Sequence, residues 1–129
     1  EKVKIPTGTC LPFSKKMFIT VNGKILPCER IGHHFYLGQI DDKKIELNPI
    51  EIAQKYNRYY NKISKQCTEC FNQKACKQCL FSLDNIETEP ICRGFMNEED
   101  FRIYSQRQLL FLSKHPEKFR QIMEKSIII

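Results

Sequence analysis

Short apolar runs separated by turn residues fill the first part of the chain, a pattern typical of β-strands. The stretch MFITVNGKILPC, residues 17–28, predicts a β-hairpin. Its centre is Asn22-Gly23, the pair best suited to the positive φ angles of a two-residue type I′ turn. In that register Met17 faces Cys28, which lies at the open end of the hairpin. The stretches HHFYLGQID and KKIELN then predict two further short strands.

A helix is predicted after these strands, with Asn48 as its N-cap and Pro49 at its first position. Its apolar side chains recur at the spacing of one helix face: Ile52, Tyr56, Tyr59, Tyr60 and Ile63. We interpret the tyrosines on this face as core packing rather than as a radical relay. The helix runs into Cys67, where a cysteine-rich stretch begins.

Two more helices are predicted near the C-terminus. One begins at Asn97, where the acidic residues that follow favour the positive end of the helix dipole, and the last starts at His115-Pro116. The final residues SIII are apolar and are expected to need a partner surface. Together these patterns predict an α+β fold with an N-terminal β-hairpin, short strands, a central helix, a cysteine-rich loop and C-terminal helices.

The length of 129 residues fits one domain with a modest core, and a hydrophobic content of 41% favours a folded chain. The sequence contains no run of about eighteen apolar residues, and its first residues, EKVKIPTGTC, lack the apolar core of a signal peptide. We therefore expect a cytoplasmic protein with no membrane partner. Because the chain opens on Glu1 rather than methionine, we also expect it to be a piece of a longer protein.

The formal net charge of +6 raises the question of a nucleic-acid partner. The basic residues are scattered, however, without an arginine-rich run or an aromatic–basic signature for RNA. Thiolates bound to metal would also offset much of this charge. We interpret the charge as a solvated face, and nucleic acid is not the expected partner.

Seven cysteines give the strongest chemical signal, and four of them fall in CTECFNQKACKQC, residues 67–79. Their odd number and the lack of an export signal disfavour a disulfide framework. Burial as inert thiols would explain Cys10 or Cys28 singly, but not four thiols in a polar stretch. Metal ligation explains the cluster, because two cysteines separated by two residues can turn both sulfurs toward one centre. The spacing matches neither a zinc ribbon nor a bacterial ferredoxin, so zinc and iron–sulfur both remain candidates.

The order of the thiols along the whole chain is more specific. Cys10 is followed by Gly23-x4-Cys28, then by Cys67-x2-Cys70-x5-Cys76-x2-Cys79, and finally by Cys92. This order resembles the SPASM domain, the seven-cysteine extension of radical S-adenosylmethionine (SAM) enzymes that modify peptides, including sulfatase-maturating enzymes. The similarity covers about residues 8–94. We therefore expect residues 1–96 to form a metal-stabilised, SPASM-like auxiliary-cluster domain, with residues 97–129 as a helical extension packed on it.

The resemblance implies two auxiliary [4Fe-4S] clusters with interleaved ligands. The first cluster would be held by Cys10, Cys28 and Cys79. The second would be held by Cys67, Cys70, Cys76 and Cys92. Because ligands of each cluster would come from distant parts of the chain, the clusters would tie the hairpin to the cysteine loop, and metal binding would contribute to folding.

The chain departs from the family pattern at the first cluster, which has only three cysteines. Lys4 stands where sulfatase-maturating relatives have a further cysteine. The fourth position is therefore expected to be open to substrate or filled by another group, with His33 and His34 as candidates. An ordinary structural role is the preferred interpretation of these two histidines. A smaller departure is that the tight run ends C-x2-C, where the family usually has C-x3-C.

The family's catalytic motif, C-x3-C-x2-C in a barrel domain, does not occur in this sequence. The resemblance therefore implies an accessory role without catalytic residues. The barrel domain of the same chain would act on a ribosomally made peptide or protein, while the auxiliary clusters accept or relay an electron or help to position that substrate. Lys74 and Lys77 are candidates for tuning a cluster, although solvated side chains are the preferred interpretation.

An alternative from another class is a zinc-stabilised interaction module without a redox role. Sites built from four cysteines accept zinc readily. In an isolated piece purified in air, zinc would be expected at the complete set, Cys67, Cys70, Cys76 and Cys92. Iron and sulfide content separates this alternative from an iron–sulfur domain.

Overall fold

The structure, a computed structural model, describes residues 9–126. The chain divides into two compact units, Glu1–Phe95 and Met96–Ile129. The described part of the first unit carries a small sheet and one long helix, and that of the second carries two helices. Within residues 9–126, each helix is too short or too polar to span a lipid bilayer. The predicted α+β class is confirmed.

The sheet is a four-stranded antiparallel meander in which each strand pairs with the next along the chain. Its strands are β1 (Phe18–Ile19), β2 (Lys24–Leu26), β3 (Gly38–Ile40) and β4 (Ile45–Leu47). The hairpin and the two further short strands are therefore confirmed. One detail is wrong: His33–Phe35 forms a 3-10 turn rather than the start of a strand, and this turn buries Phe35 in the core.

The turn of the first hairpin differs from the predicted type. Phe18 pairs with Leu26 and Ile19 with Ile25, so the register places Met17 opposite Pro27 and not opposite Cys28. The loop has three residues, because the amide of Gly23 donates to the carbonyl of Thr20 at 2.9 Å and Gly23 alone of the Asn-Gly pair has a positive φ, +75°. This is a type I turn closed by a left-handed glycine, the geometry of a G1 bulge.

Gly23 also permits a close approach between strands. A Cβ atom at this position would lie 2.1 Å from the carbonyl oxygen of Ile40, and the positive φ strains any other residue. We expect Gly23→Ala to lower the free energy of unfolding by roughly 1–3 kcal/mol. Chemical denaturation measures this effect. Gly94→Ala is the control, since its Cβ would meet nothing closer than 3.4 Å, and equal losses in both variants would contradict the explanation.

The long helix, α1 (Pro49–Glu69), forms where its sequence signals predict it. The side-chain oxygen of Asn48 accepts hydrogen bonds from the amides of Ile50 and Glu51 at 3.1 and 3.3 Å, which caps the first turn. Its buried face meets side chains from the turn before β3 and from the loop after the cysteines. That core consists of Phe35, Leu37, Ile52, Tyr56, Tyr59, Ile63, Leu80 and Ile86. The interpretation of the tyrosines as core residues is confirmed for Tyr56 and Tyr59, which are buried, while Tyr60 packs against them.

The second unit is a helical hairpin of α2 (Glu98–Lys114) and α3 (Pro116–Lys125). The Asn97 side chain accepts from the amide of Asp100 at 2.8 Å, so the predicted N-cap of α2 is confirmed. The predicted start of α3 after His115 is confirmed as well. The last three residues of the apolar SIII segment lie outside the described residues, and the packing of this hairpin on the first domain stays a prediction.

Candidate metal centres

Four of the seven cysteines line one cavity: Cys67, Cys70, Cys76 and Cys92. The end of α1 supplies the first of them, because Cys67 lies in its last turn. Cys70 caps the helix, and its amide donates back to the carbonyl of Cys67 at 3.3 Å. A 3-10 turn, Gln73–Ala75, then brings Cys76 to the same cavity. The fold thus gathers the tight run on one side of the helix end.

Cys92 reaches this cavity from a separate loop that is held at several points. The backbones of Asp84 and Ile91 form an isolated antiparallel bridge, with amide–carbonyl distances of 3.1 and 2.9 Å. Beside it, the Arg93 guanidinium binds the Asp84 carboxylate through two hydrogen bonds of 2.6 and 3.0 Å. The amide of Cys92 itself donates to the Gln66 side chain on α1 at 3.0 Å. These contacts hold the returning loop against the helix end.

The thiols in this group influence one another's ionisation. Burial, and then the neighbouring Cys92, Cys76 and Cys70, raise the pKa of Cys67 to about 11. Burial also raises the pKa of Cys92, although the amide of Gly94 donates a hydrogen bond to its sulfur and opposes this shift. Several thiolates in one half-buried site repel one another, so a cationic centre between them would stabilise the ionised form that binds metal.

The other three cysteines, Cys10, Cys28 and Cys79, also come near one another. The hydroxyl of Thr9 accepts a hydrogen bond from the amide of Leu80 at 2.9 Å, which ties the segment around Cys10 to Cys79. Burial raises the pKa of Cys79, and the nearby Cys28 and Cys10 raise it further. The structure thus brings together the three residues that the sequence assigns to the first cluster.

Backbone amides donate hydrogen bonds to sulfur in both groups. The amide of Arg30 donates to the sulfur of Cys28 at 3.3 Å. The amides of Phe81 and Ser82 donate to Cys79 and lower its pKa against the effect of burial. Hydrogen bonds to sulfur stabilise thiolate ligands and are one of the levers that set the reduction potential of iron–sulfur centres.

The two groups of cysteines are neighbours in space. A second small cavity is lined by Cys79 from one group and by Cys67, Cys76 and Cys92 from the other. The fully buried Leu80 forms part of its wall. Cysteines of both groups therefore border the same small cavity.

The donor set is the observation that decides which group of proteins these features fit. Within residues 9–126 no disulfide joins any of the seven cysteines, and the residues that line the two cysteine cavities include no His, Asp or Glu. A family model described as SPASM, an iron–sulfur cluster-binding domain, matches residues 10–94, about two thirds of the chain. The chain belongs to the SPASM family. The matched range of this SPASM domain begins at its first cysteine and ends just after its last, so it includes every cysteine discussed above. SPASM domains bind iron–sulfur clusters, and the thiol donors of this chain fit that cofactor.

Comparison of the SPASM chain with curated proteins and with solved structures gave no match. Within residues 9–126, no three His, Cys, Asp or Glu side chains are arranged to hold a single metal ion. The ligand assignment to two separate clusters therefore stays a prediction.

The histidine candidates lie at the surface. His33 and His34 are exposed, and neither lines the two cysteine cavities. The ring of His34 instead packs on Phe35, with 3.9 Å between centroids, and borders a polar pocket with Lys55 and Arg58. These contacts support the preferred structural role of the pair. The position of Lys4 lies outside the described residues.

Other residues near the thiols were missed from sequence. Gln66 holds the amide of Cys92, and Thr9 holds the amide that follows Cys79. Both contacts join positions far apart in the chain, so no local pattern could have revealed them. Lys74 and Lys77 are exposed, as their interpretation as solvated side chains requires.

Differences in burial among the thiols predict different rates of alkylation. In the iron-free SPASM domain near pH 8, we expect iodoacetamide to modify the exposed Cys10 first and Cys67 last, because the thiolate is the nucleophile and the pKa of Cys67 is raised to about 11. Peptide mass spectrometry at timed intervals gives the order. In urea the two rates should converge. Equal alkylation rates for Cys10 and Cys67 in the folded protein would contradict the half-buried position of Cys67.

Proposed function

We propose that this SPASM domain is the auxiliary iron–sulfur domain of a radical SAM enzyme that modifies a ribosomally made peptide or protein. Its role is electron transfer and substrate positioning beside a barrel domain of the same chain. One observation carries the proposal: the cysteines of the matched region gather in two adjacent groups, one of four around a cavity and one of three. A domain built only to be stable has no need of two such groups side by side.

The group of four would hold a complete [4Fe-4S] cluster through Cys67, Cys70, Cys76 and Cys92. The group of three, Cys10, Cys28 and Cys79, would hold a second cluster with one iron that lacks a cysteine ligand. When bound, such clusters take up and release single electrons at potentials that the surroundings of the sulfurs set. The chain's own part is to keep the sulfurs other than that of Cys10 half-buried and to supply amide hydrogen bonds to some of them.

The proposed location is cytoplasmic, because thiols that ligate iron–sulfur clusters must stay reduced. Electron transfer to or from a bound peptide also requires one cluster to lie close to the molecular surface. Cys10 is the exposed member of its group, so the three-cysteine site is the one that we assign to face the substrate. Every cysteine in the group of four is half-buried, which suits a relay.

A zinc-stabilised interaction module is the second candidate, since the group of four offers the donor set of a structural zinc site. Four thiolates around zinc, at about 2.3 Å from the metal, stand in van der Waals contact with one another. Among residues 9–126 the thiols are not arranged in such a single-ion site. The three-cysteine group would also have no role in that module.

The test of the proposed function uses the full-length protein that contains this domain, purified without oxygen and supplied with SAM and a reductant. We expect it to form 5′-deoxyadenosine and to modify its peptide, as followed by mass spectrometry. A Cys76→Ala variant should still cleave SAM but lose the modified peptide, because only the auxiliary site is damaged. Unchanged peptide modification by the variant, or a full-length chain without a C-x3-C-x2-C barrel, would overturn the proposal.

A further inference from the structure

Tyr56 on α1 has a feature that the proposed ligands do not explain. The residue is 4% exposed, and within residues 9–126 its hydroxyl has no hydrogen-bond partner. Buried hydroxyl groups nearly always find a partner, so an unpaired one needs an explanation, and a group bound beside it would provide one. Within residues 9–126 the neighbouring Tyr60 hydroxyl also has no partner. Tyr59, three residues later on the helix, shows the usual arrangement, because its hydroxyl donates to the carboxylate of Glu87.

The unpaired hydroxyl lies beside the three-cysteine group. The pKa of Tyr56 is raised first by burial and by Tyr60, and then by the thiols of Cys79, Cys10 and Cys28, which shows that these sulfurs lie close to the phenol. No cysteine of the other group contributes to this shift.

Packing contacts place Tyr56 at the same spot. Its ring meets Phe81, two residues after Cys79, edge to face with 5.4 Å between centroids. Tyr56 also lines an apolar groove with Leu11, the residue that follows Cys10. Tyr56 therefore contacts the segment that carries Cys79 and borders the same groove as the segment that carries Cys10.

We propose that Tyr56 donates a hydrogen bond from its hydroxyl to a sulfur of the iron–sulfur centre held by Cys10, Cys28 and Cys79. Tyr56 is thus a positioning residue for that centre and not one of its ligands. The inference rests on the proposed function, because it takes this group to be a cluster site. A hydrogen bond to sulfur stabilises the more negative, reduced state and so raises the reduction potential.

The variant that tests this inference is Tyr56→Phe, with Tyr59→Phe as its control. Both changes remove one buried phenolic oxygen from α1, but only Tyr56 faces the thiols. Iron and sulfide content and redox titration followed by electron paramagnetic resonance are measured on the full chain after anaerobic reconstitution. We expect unchanged iron content in both variants and a more negative potential for one centre in Tyr56→Phe alone.

A second measurement does not depend on the cluster. In the iron-free chain, Tyr56→Phe should keep or increase the stability to urea, because it removes a hydroxyl without a partner, whereas Tyr59→Phe should lower it. Two clusters with identical potentials in wild type and Tyr56→Phe would overturn the inference and leave the proposed function intact. A wild-type chain that never takes up a second cluster would overturn both the inference and the proposed function. Equal shifts of potential in Tyr56→Phe and Tyr59→Phe would overturn the role of Tyr56 alone.

Discussion

Replacing Cys92 with alanine is expected to remove one of the two clusters and to cut the iron content of the reconstituted SPASM domain by half. Cys92 is the only ligand of its group that lies outside the tight run, and it arrives on a loop held to α1 through Gln66. Without its sulfur, one iron loses its ligand at a site that is built around four thiols, whereas the other group has only three thiols in the native chain. The expected iron count is about four atoms per chain instead of about eight, since each full cluster holds four.

The complementary variant is Cys28→Ala, which belongs to the other group. It should lose the centre near Tyr56 and leave the signal of the four-cysteine centre unchanged. Iron and sulfide assays with electron paramagnetic resonance on both variants separate the two sites. Loss of the same signal in both variants would contradict the division of the ligands, and full iron content in Cys92→Ala would contradict its role as a ligand.

Replacing Leu80 with alanine is expected to lower the free energy of unfolding by about 2–5 kcal/mol, the usual cost of truncating a fully buried leucine. Leu80 is 1% exposed and follows Cys79 directly. It also lines the small cavity that both groups of thiols border, so its truncation enlarges that cavity. Chemical denaturation of the iron-free chain measures the cost without a contribution from metal.

The matched control is Leu109→Ala on α2, where the side chain is 67% exposed. This variant should change the stability by no more than about 0.5 kcal/mol. A loss below about 1 kcal/mol for Leu80→Ala would contradict its place in the core. Equal losses for the two leucines would do so as well.

The helices could be predicted from the sequence because their signals are local. Asn48 and Pro49 mark the start of α1, and Asn97 marks the start of α2, through contacts that span only two or three residues. The hairpin was harder, since Asn-Gly also fits a three-residue loop. Which turn forms depends on the pairing of β2 with β3, where Gly23 approaches Ile40. That contact lies beyond the hairpin itself.

An iron–sulfur cluster-binding domain was predictable from the sequence, but the surroundings of its cysteines were not. The spacing of the cysteines pointed to metal, and their order along the chain pointed to the SPASM family, whose match to residues 10–94 bears this out. Tyr56 was placed correctly in the core, yet nothing in its helical spacing distinguishes it from Tyr59. Only the fold shows that one hydroxyl meets Glu87 while the other lies beside the thiols. Long-range packing decides this difference.

The most direct test of the central claim is the metal content of the chain after anaerobic reconstitution, with iron, acid-labile sulfide and zinc counted in the same sample. We predict about eight iron and eight sulfide per chain, a brown protein, and a paramagnetic signal on reduction. A colourless protein that keeps a single zinc under these conditions, or one that binds no metal and stays fully folded, would contradict the account.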